Sequence, residues 1–281
     1  MKEKVVATVI LYEPLPSVKY NILSYIDDID YLYIVDNSRY RSSVIFELAP
    51  YSYKIKVLHY GKNIGVASAL NLAIARAKED NYKWLFTFDQ DTYFEGNECS
   101  LFLENLFSLK LNNQVAIVSP LHNKKFINKN KPLVSNIDFV MTSANCINVD
   151  IAYSLGGFDE KLFIDEVDHE FCLRLKKYNY IIYINNHISV KHKLGVSHKL
   201  FSKVKIYPSL RLYYMIRNYL YIRRLYKIYN IDFFKNRDKY LVKFFVYQLI
   251  FGDNIKDNIF YIVKGIKDYS KNRFGKLKKY E

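Results

Sequence analysis

Glycine (9) and proline (6) are scarce for 281 residues, which excludes collagen-like, linker-like and low-complexity chains. Cysteine occurs three times, at Cys99, Cys146 and Cys172. These are far apart, odd in number and without CxxC spacing, so neither a disulfide framework nor a thiolate zinc site is expected, and a reducing compartment is. No window holds the roughly 18 uninterrupted apolar residues of a membrane-spanning helix; the nearest, residues 240–251, contains Lys243 and Gln248. The first apolar run carries Glu13 and has neither an extended apolar stretch nor a small-residue cleavage site, so it predicts a first strand and no targeting segment. Acidic residues are also short, 28 Asp and Glu against 42 Lys and Arg, a formal charge of +14.

What is present is a foldable chain. Half of it is hydrophobic and 17% aromatic, with 27 Tyr and 19 Phe, more than a disordered chain carries and enough for one large core or two modest ones. The charge is unevenly placed. Residues 1–199 hold 23 Lys and Arg against 22 Asp and Glu, and residues 200–281 hold 19 against 6, so net charges of +1 and +13 mark two physically different segments.

Short β-rich runs at 5–12, 31–36, 54–59, 83–88 and 114–119 alternate with helical patterns; in 67–78, Leu70, Ala73, Ile74 and Ala77 fall on one helical face. This alternation predicts an α/β fold with a mostly parallel sheet covered on both sides. Ligands of such sheets bind beyond the carboxyl ends of the strands, where this chain places Tyr12-Glu13, Asp36-Asn37-Ser38 and Asp89-Gln90-Asp91. From Arg211 onward the pattern is helical and rich in Tyr, Phe and Arg.

The strongest local signal is the strand Lys83-Trp-Leu-Phe-Thr-Phe followed by Asp89-Gln90-Asp91. Two carboxylates at the ligand edge suit a hard divalent cation carrying phosphates; an isolated DxD also suits a solvated turn or a helix N-cap. Downstream, Asp165, Glu166, Asp168 and Glu170 fall within six positions after Gly156-Gly-Phe-Asp-Glu. On a helix Asp165 and Asp168 share a face, as do Glu166 and Glu170. Such crowding is relieved by solvent, by a basic partner, or by service as a general base; an acidic helix start is the simpler alternative. Gly61-Lys-Asn63-Ile-Gly65 before the 67–78 helix can offer backbone N–H groups to an anion, yet matches neither the P-loop nor GxGxxG. His192 follows the apolar run 180–190, and an imidazole there suits either structure or the coordination of an ion such as Mn²⁺.

In this order the segments resemble a family 2 glycosyltransferase of the GT-A fold, rhamnosyltransferase-like. The resemblance is carried over about residues 5–225 by Val-Ile-Leu-Tyr12-Glu-Pro14, Ile-Val-Asp36-Asn-Ser38, Asn63-Ile-Gly65 through Asn71, Phe-Asp89-Gln-Asp91, Met141-Thr-Ser-Ala-Asn145, and Gly156-Gly-Phe-Asp-Glu through Arg174. It implies inverting transfer from a nucleotide sugar, with L-rhamnose from dTDP-rhamnose as the expected donor and a galactosyl, glucosyl or N-acetylhexosaminyl donor as the alternative, to a glycan or lipid-linked glycan of a bacterial surface polysaccharide. It further implies that Tyr12, Glu13, Asp36, Asn63, Asn71 and Asp89 bind the nucleotide sugar, and that Asp91 and His192 hold Mg²⁺ or Mn²⁺. The family's catalytic base lies in a Glu-Asp pair before the Cys-Leu-Arg ending, and counting back from Arg174 places that pair on Val167 and Asp168. The usual Glu is absent, Asp168 becomes the base, and Asp165 is its rival.

The expected organisation is a catalytic GT-A domain at 1–200 and a basic helical region at 201–281. A glycoside hydrolase would also use two carboxylates, but needs no strand-end DxD. A nucleotidyltransferase would need a glycine- and basic-rich loop for triphosphate, which is missing at the N-terminus. The basic region suits nucleic acid by charge and aromatic content, or an anionic membrane surface. Tyr and Phe at helical spacing favour the membrane, so the expectation is a cytoplasmic protein, peripheral at the inner face of the cell membrane, with no nucleic acid and with a homodimer allowed.

Overall fold

The computed structural model describes residues 4–124, 127–192, 196–197, 205–252 and 254–278. Two compact units emerge, one formed by Met1–Glu160 with Val167–Lys193, the other by Lys161–Glu166 with Leu194–Glu281. The domain break expected at 200/201 lies outside the described residues.

The first unit is built on strands β1 (Val5–Leu11), β2 (Tyr31–Asp36), β3 (Ile55–His59), β4 (Trp84–Asp89), β5 (Thr92–Tyr93), β6 (Val115–His122), β7 (Val134–Asn136), β8 (Asn145–Asn148) and β9 (Ile181–His192). Helices α1 (Val18–Leu23), α2 (Val44–Glu47), α3 (Val66–Glu79), α4 (Glu98–Ser108), α5 (Val149–Ser154) and α6 (Val167–Lys177) connect them. The sheet order is β3-β2-β1-β4-β8-β6-β9-β5, with β7 also on β9. β3, β2, β1 and β4 are parallel, whereas β8 runs antiparallel to both β4 and β6. The sheet is thus mixed: the β3-β2-β1-β4 run and the β6–β9 pair are parallel, and β8, inserted between β4 and β6, runs against both.

All seven residues of β1 are buried, as a strand covered on both faces requires. Along β4 the pleat sends Trp84, Phe86 and Phe88 into one core, where Phe88 stacks on Tyr25 with ring centroids 3.8 Å apart and Phe86 on Phe102 at 5.2 Å. Aromatic pairs of this kind add about 0.5–1.5 kcal/mol each beyond area burial, so the strand that carries the DxD motif is anchored by its alternate residues. Cys99, Cys146 and Cys172 are free and buried.

The second unit contains β10 (Val196–Ser197) paired antiparallel with β11 (Lys205–Ile206), and helices α7 (Ser209–Tyr226), α8 (Ile231–Phe251) and α9 (Ile255–Ser270). Arg217 and Asn218 of α7 are buried and serve the segment Lys161–Glu166. Asn218 Nδ2 donates to the carbonyls of Leu162, Ile164 and Asp165 at 2.8, 2.7 and 3.0 Å. The Arg217 guanidinium donates to Gly275 O at 2.7 Å and Leu162 O at 3.2 Å. The segment needs this support because Phe163, Asp165 and Glu166 all have left-handed backbone, with φ of 64, 62 and 60°, a costly conformation for non-glycine residues.

Candidate active site

Strand ends β1, β2 and β4 deliver the expected residues to one edge of the sheet, and their loops are stitched together. Gln90, the middle residue of the DxD motif, makes a two-way amide contact with Tyr12: its Oε1 accepts the Tyr12 N–H at 2.9 Å and its Nε2 donates to Tyr12 O at 3.3 Å. Glu13 has φ 45°; its N–H donates to Ser38 Oγ at 2.8 Å and its Oε1 accepts the Arg39 N–H. Asp36 is buried, and its carboxylate accepts the Ser38 N–H at 3.1 Å, the Ser42 N–H at 2.8 Å and the Ser42 hydroxyl at 2.9 Å. The hydrogen bonds recorded for it thus organise its own loop.

Asn63 closes its turn by accepting the Gly65 N–H at 2.8 Å, and Asn37 braces the same turn through Ile64 N–H and Gly65 O. Gly65 has φ 89°, which glycine reaches without strain. Asn71, expected at the nucleotide sugar, is engaged elsewhere. Its Oδ1 accepts the Phe158 N–H at 2.6 Å, and its Nδ2 donates to Phe158 O and Glu160 Oε1, both at 2.9 Å. Asn71 therefore clamps the Gly156–Glu160 turn, against which a Cβ on Gly157 (φ 69°) would collide with Asn71 Oδ1.

The metal-ligating expectation gathers as three side chains. Ligand atoms of Asp89, Asp91 and His192 all lie within 4.8 Å of one another; His192 Nε2 is 3.1 Å from Asp91 Oδ1 and 3.6 Å from Asp89 Oδ2. Register explains how a residue a hundred positions away arrives here: Thr92 of β5 pairs with His192 of β9. Asn123 then holds the His192 backbone from both sides, accepting its N–H at 2.9 Å and donating to its carbonyl at 2.8 Å. His122, whose ring lies 6.0 Å from that of His192, is pushed down to about 4, chiefly by burial. It stays neutral near pH 7 and adds no positive charge. Two carboxylates and one imidazole fit a hard or borderline divalent cation, so the donor set suits the implied metal.

The Met141–Asn145 stretch connects this cluster with the candidate base. Ser143 Oγ accepts the Asp89 N–H at 2.9 Å and donates to Thr92 Oγ1 at 2.7 Å, while Thr142 and Asn145 line a narrow crevice together with Asp168, Phe158, Phe171 and Cys172. Ala144 between them has φ 58°, so this backbone is held in a sparsely populated conformation beside the site.

Asp168 is the second residue of α6, about one quarter exposed, with Oδ1 accepting the His169 N–H at 2.8 Å and 3.3 Å from His169 Nδ1. The expected helical pairing of the acidic cluster is corrected here. α6 begins only at Val167, so Asp165 and Glu166, in left-handed backbone, share no helix face with Asp168 and Glu170. The carboxylates are separated by their partners as well. Within the second unit the Arg211 guanidinium spans Asp165 at 2.9–3.2 Å, and Arg237 donates to Glu166 at 2.6 Å. Within the first, Arg174 donates to Glu170 at 2.8 Å and to the carbonyls of Leu155 and Gly157, both at 2.6 Å. Asp165, Glu166 and Glu170 thus each pair with an arginine.

Asn123 was not singled out from the sequence, and Gln90, Asn37 and Ser143 appeared there only as members of quoted segments without a role. Their polar side chains act on groups far away in the chain, and neither periodicity nor charge marks such residues.

Comparison with known proteins follows the same lines. The family model for glycosyl transferase family 2 matches residues 10–153. The dTDP-rhamnosyl transferase RfbF of Shigella flexneri is 26% identical over 218 residues, covering 68% of this chain and 70% of that protein. Among solved structures, that of GalNAc-T7 with UDP, GalNAc and Mn²⁺ matches with a TM-score of 0.61 at 11% identity, covering 96% of this chain; the chain spans 56% of the length of that structure. TarS of S. aureus (1–349) matches with a TM-score of 0.49 at 12% identity over 96% of this chain and 73% of that one. The likeness to GalNAc-T7 is one of fold, and the expected GT-A architecture is present. Since the family model takes in just over half of the residues, including the Tyr12, Asp36 and Asp89-Gln90-Asp91 strand ends, this chain belongs to glycosyl transferase family 2.

Proposed function

We propose that the protein is an inverting glycosyltransferase that moves L-rhamnose from dTDP-rhamnose onto a glycan or lipid-linked glycan of a bacterial surface polysaccharide. The observation that carries this reading is the convergence of Asp89, Asp91 and His192 at the ligand edge of the sheet in a family 2 chain, with Asp168 opening on a crevice that shares the Met141–Asn145 connection. The dTDP-rhamnosyl relative supports the donor. Asp89, Asp91 and His192 would hold Mg²⁺ or Mn²⁺. When bound, the ion supplies positive charge to the diphosphate of the leaving group. Tyr12, Glu13, Asp36 and the Asn63 turn are assigned to the nucleotide side; Asn71 positions the Gly156–Glu160 turn.

Asp168 takes the proton of the acceptor hydroxyl as its oxygen bonds to the sugar C1 and the bond from C1 to the nucleoside diphosphate breaks. A hydroxyl with a pKa far above 7 needs such a carboxylate within hydrogen-bond reach in the transition state. Asp168 is preferred to Asp165 because Asp165 neutralises Arg211, which makes it a poorer proton acceptor. Residues 1–200 are assigned to catalysis. Residues 201–281, with their charge of +13, are assigned to the anionic inner face of the cell membrane; no described helix is long and apolar enough to cross one.

A thermal-shift screen of nucleotide sugars with and without Mn²⁺ tests the donor. dTDP-rhamnose is expected to raise Tm most, only with the ion present, and not in Asp91→Ala. A larger shift with a UDP-hexose or UDP-N-acetylhexosamine would replace the donor, and no shift with any nucleotide sugar would overturn the reading.

A further inference from the structure

Helix α9 is amphipathic with its polar side turned inward. Asn258 and Asp268 are 2% and 3% exposed. Asn258 donates to Gln248 O at 2.8 Å and accepts the Ser209 hydroxyl at 2.6 Å, and Asp268 accepts Tyr213 Oη at 3.0 Å and Lys264 Nζ at 3.1 Å. Between them Gly265 sits so close to α7 that a Cβ would stand 2.6 Å from Ile216 Cγ2 and 2.7 Å from Tyr213 O. The outward side carries Ile255, Ile259, Val263 and Ile266 at i, i+4, i+8 and i+11, with Phe260 beside them, each 42–52% exposed. An apolar stripe at this spacing ordinarily faces a core; here it faces away from one. On α8, Val242, Val246 and Ile250 form a second exposed stripe.

Charge identifies what covers these stripes. Exposed Lys256, Lys267 and Lys271 follow the α9 stripe, and exposed Lys239 and Lys243 the α8 stripe. Of the acidic groups on these helices, Asp268 is buried onto Tyr213 and Lys264 and half-buried Asp238 is held by Arg223 and Tyr219, while Asp232 and Asp257 are exposed in the first turns of α8 and α9. A second copy of the chain would set the same lysines against one another. A bilayer with anionic headgroups accepts both features, the apolar side chains at the headgroup and acyl boundary and the lysines among the phosphates.

We infer that the outward face of α9, flanked by the Val242–Val246–Ile250 stripe of α8, is a docking surface for an anionic lipid bilayer, into whose interface Ile259, Phe260, Val263 and Ile266 insert. The inference names the side chains for the membrane reading given above and rests on it. The test is flotation of the full-length protein with vesicles of phosphatidylcholine alone and of phosphatidylcholine with phosphatidylglycerol, for wild type and Ile259→Asp/Val263→Asp, alongside sedimentation velocity and the thermal shift with dTDP-rhamnose and Mn²⁺. The expected result is flotation of the wild type with the anionic vesicles, weakened by salt, and a loss of about tenfold or more in partitioning for the variant with its donor-induced shift unchanged. Flotation of the variant like the wild type would overturn the assignment to α9. Equal flotation with neutral vesicles, or none with either, would overturn the anionic bilayer as occupant, as would a wild-type dimer without lipid that the variant abolishes. The donor-induced shift reads the transferase assignment separately, so that assignment can stand or fall apart from the lipid result.

Discussion

Of the four carboxylates between Asp165 and Glu170, three are matched to arginines, Asp165 with Arg211, Glu166 with Arg237 and Glu170 with Arg174. Asp168 lines the narrow crevice. Asp168→Asn is therefore expected to leave the donor-induced thermal shift within error while turnover falls by about 10²–10⁴-fold, the range of a lost general base. Asp165→Asn should retain most turnover and lower stability by about 1 kcal/mol, as loss of a partly exposed bidentate pair does; parallel kinetics and urea unfolding check both. Gly157→Ala tests the clamp on the acidic turn. Its new Cβ collides with Asn71 Oδ1 at a φ of 69°, so a loss of about 1–3 kcal/mol is expected, with Asn71→Ala adding little further because both changes break the same contact. The chemical types at these positions were legible in the sequence, because DxD and the acidic run are local. Which of them pair with arginines was not, since Arg211 and Arg237 lie 46 and 71 residues from the carboxylates they hold and nothing in local spacing announces such pairing.

At the scale of elements, strands were read well where they are buried on both faces. The runs at 5–12, 31–36 and 83–88 reappear as β1, β2 and β4 with shifts of one residue, because a continuous β-branched and aromatic run has few other fates. The antiparallel direction of β8 against β4 and β6 was not legible, because strand direction carries no periodic signal. Asp165 and Glu166 resemble an acidic first turn of α6, but both have left-handed backbone, and the Asn218 amide on α7 binds the Ile164 and Asp165 carbonyls. Asn218→Leu would leave the Leu162, Ile164 and Asp165 carbonyls without that amide. A loss of about 2–3 kcal/mol in urea unfolding is expected, within the cost of stranding buried acceptors.

Across the whole molecule, the nearly neutral residues 1–199 carry the acidic ligand edge, and residues 200–281, with their charge of +13, include the helices α8 and α9 that expose apolar stripes. The Asp89–Asp91–His192 cluster proposed to hold the cation lies at the strand ends, whereas the core is built of Trp84, Phe86, Phe88 and their neighbours. Chelation of divalent ions should therefore abolish turnover while the far-UV circular dichroism and the urea midpoint stay unchanged, and added Mn²⁺ should restore the rate. By itself the sequence determined the strands β1, β2, β3, β4 and β6, that a strand-end DxD precedes an acidic run, and where the charge lies, since burial periodicity and composition are local properties. The tertiary structure alone decided that His192 reaches Asp91, that Asn71 clamps a turn, and that α9 turns its polar side inward. Hydropathy shows that a helix has an apolar face; which way that face points depends on what packs against the other one.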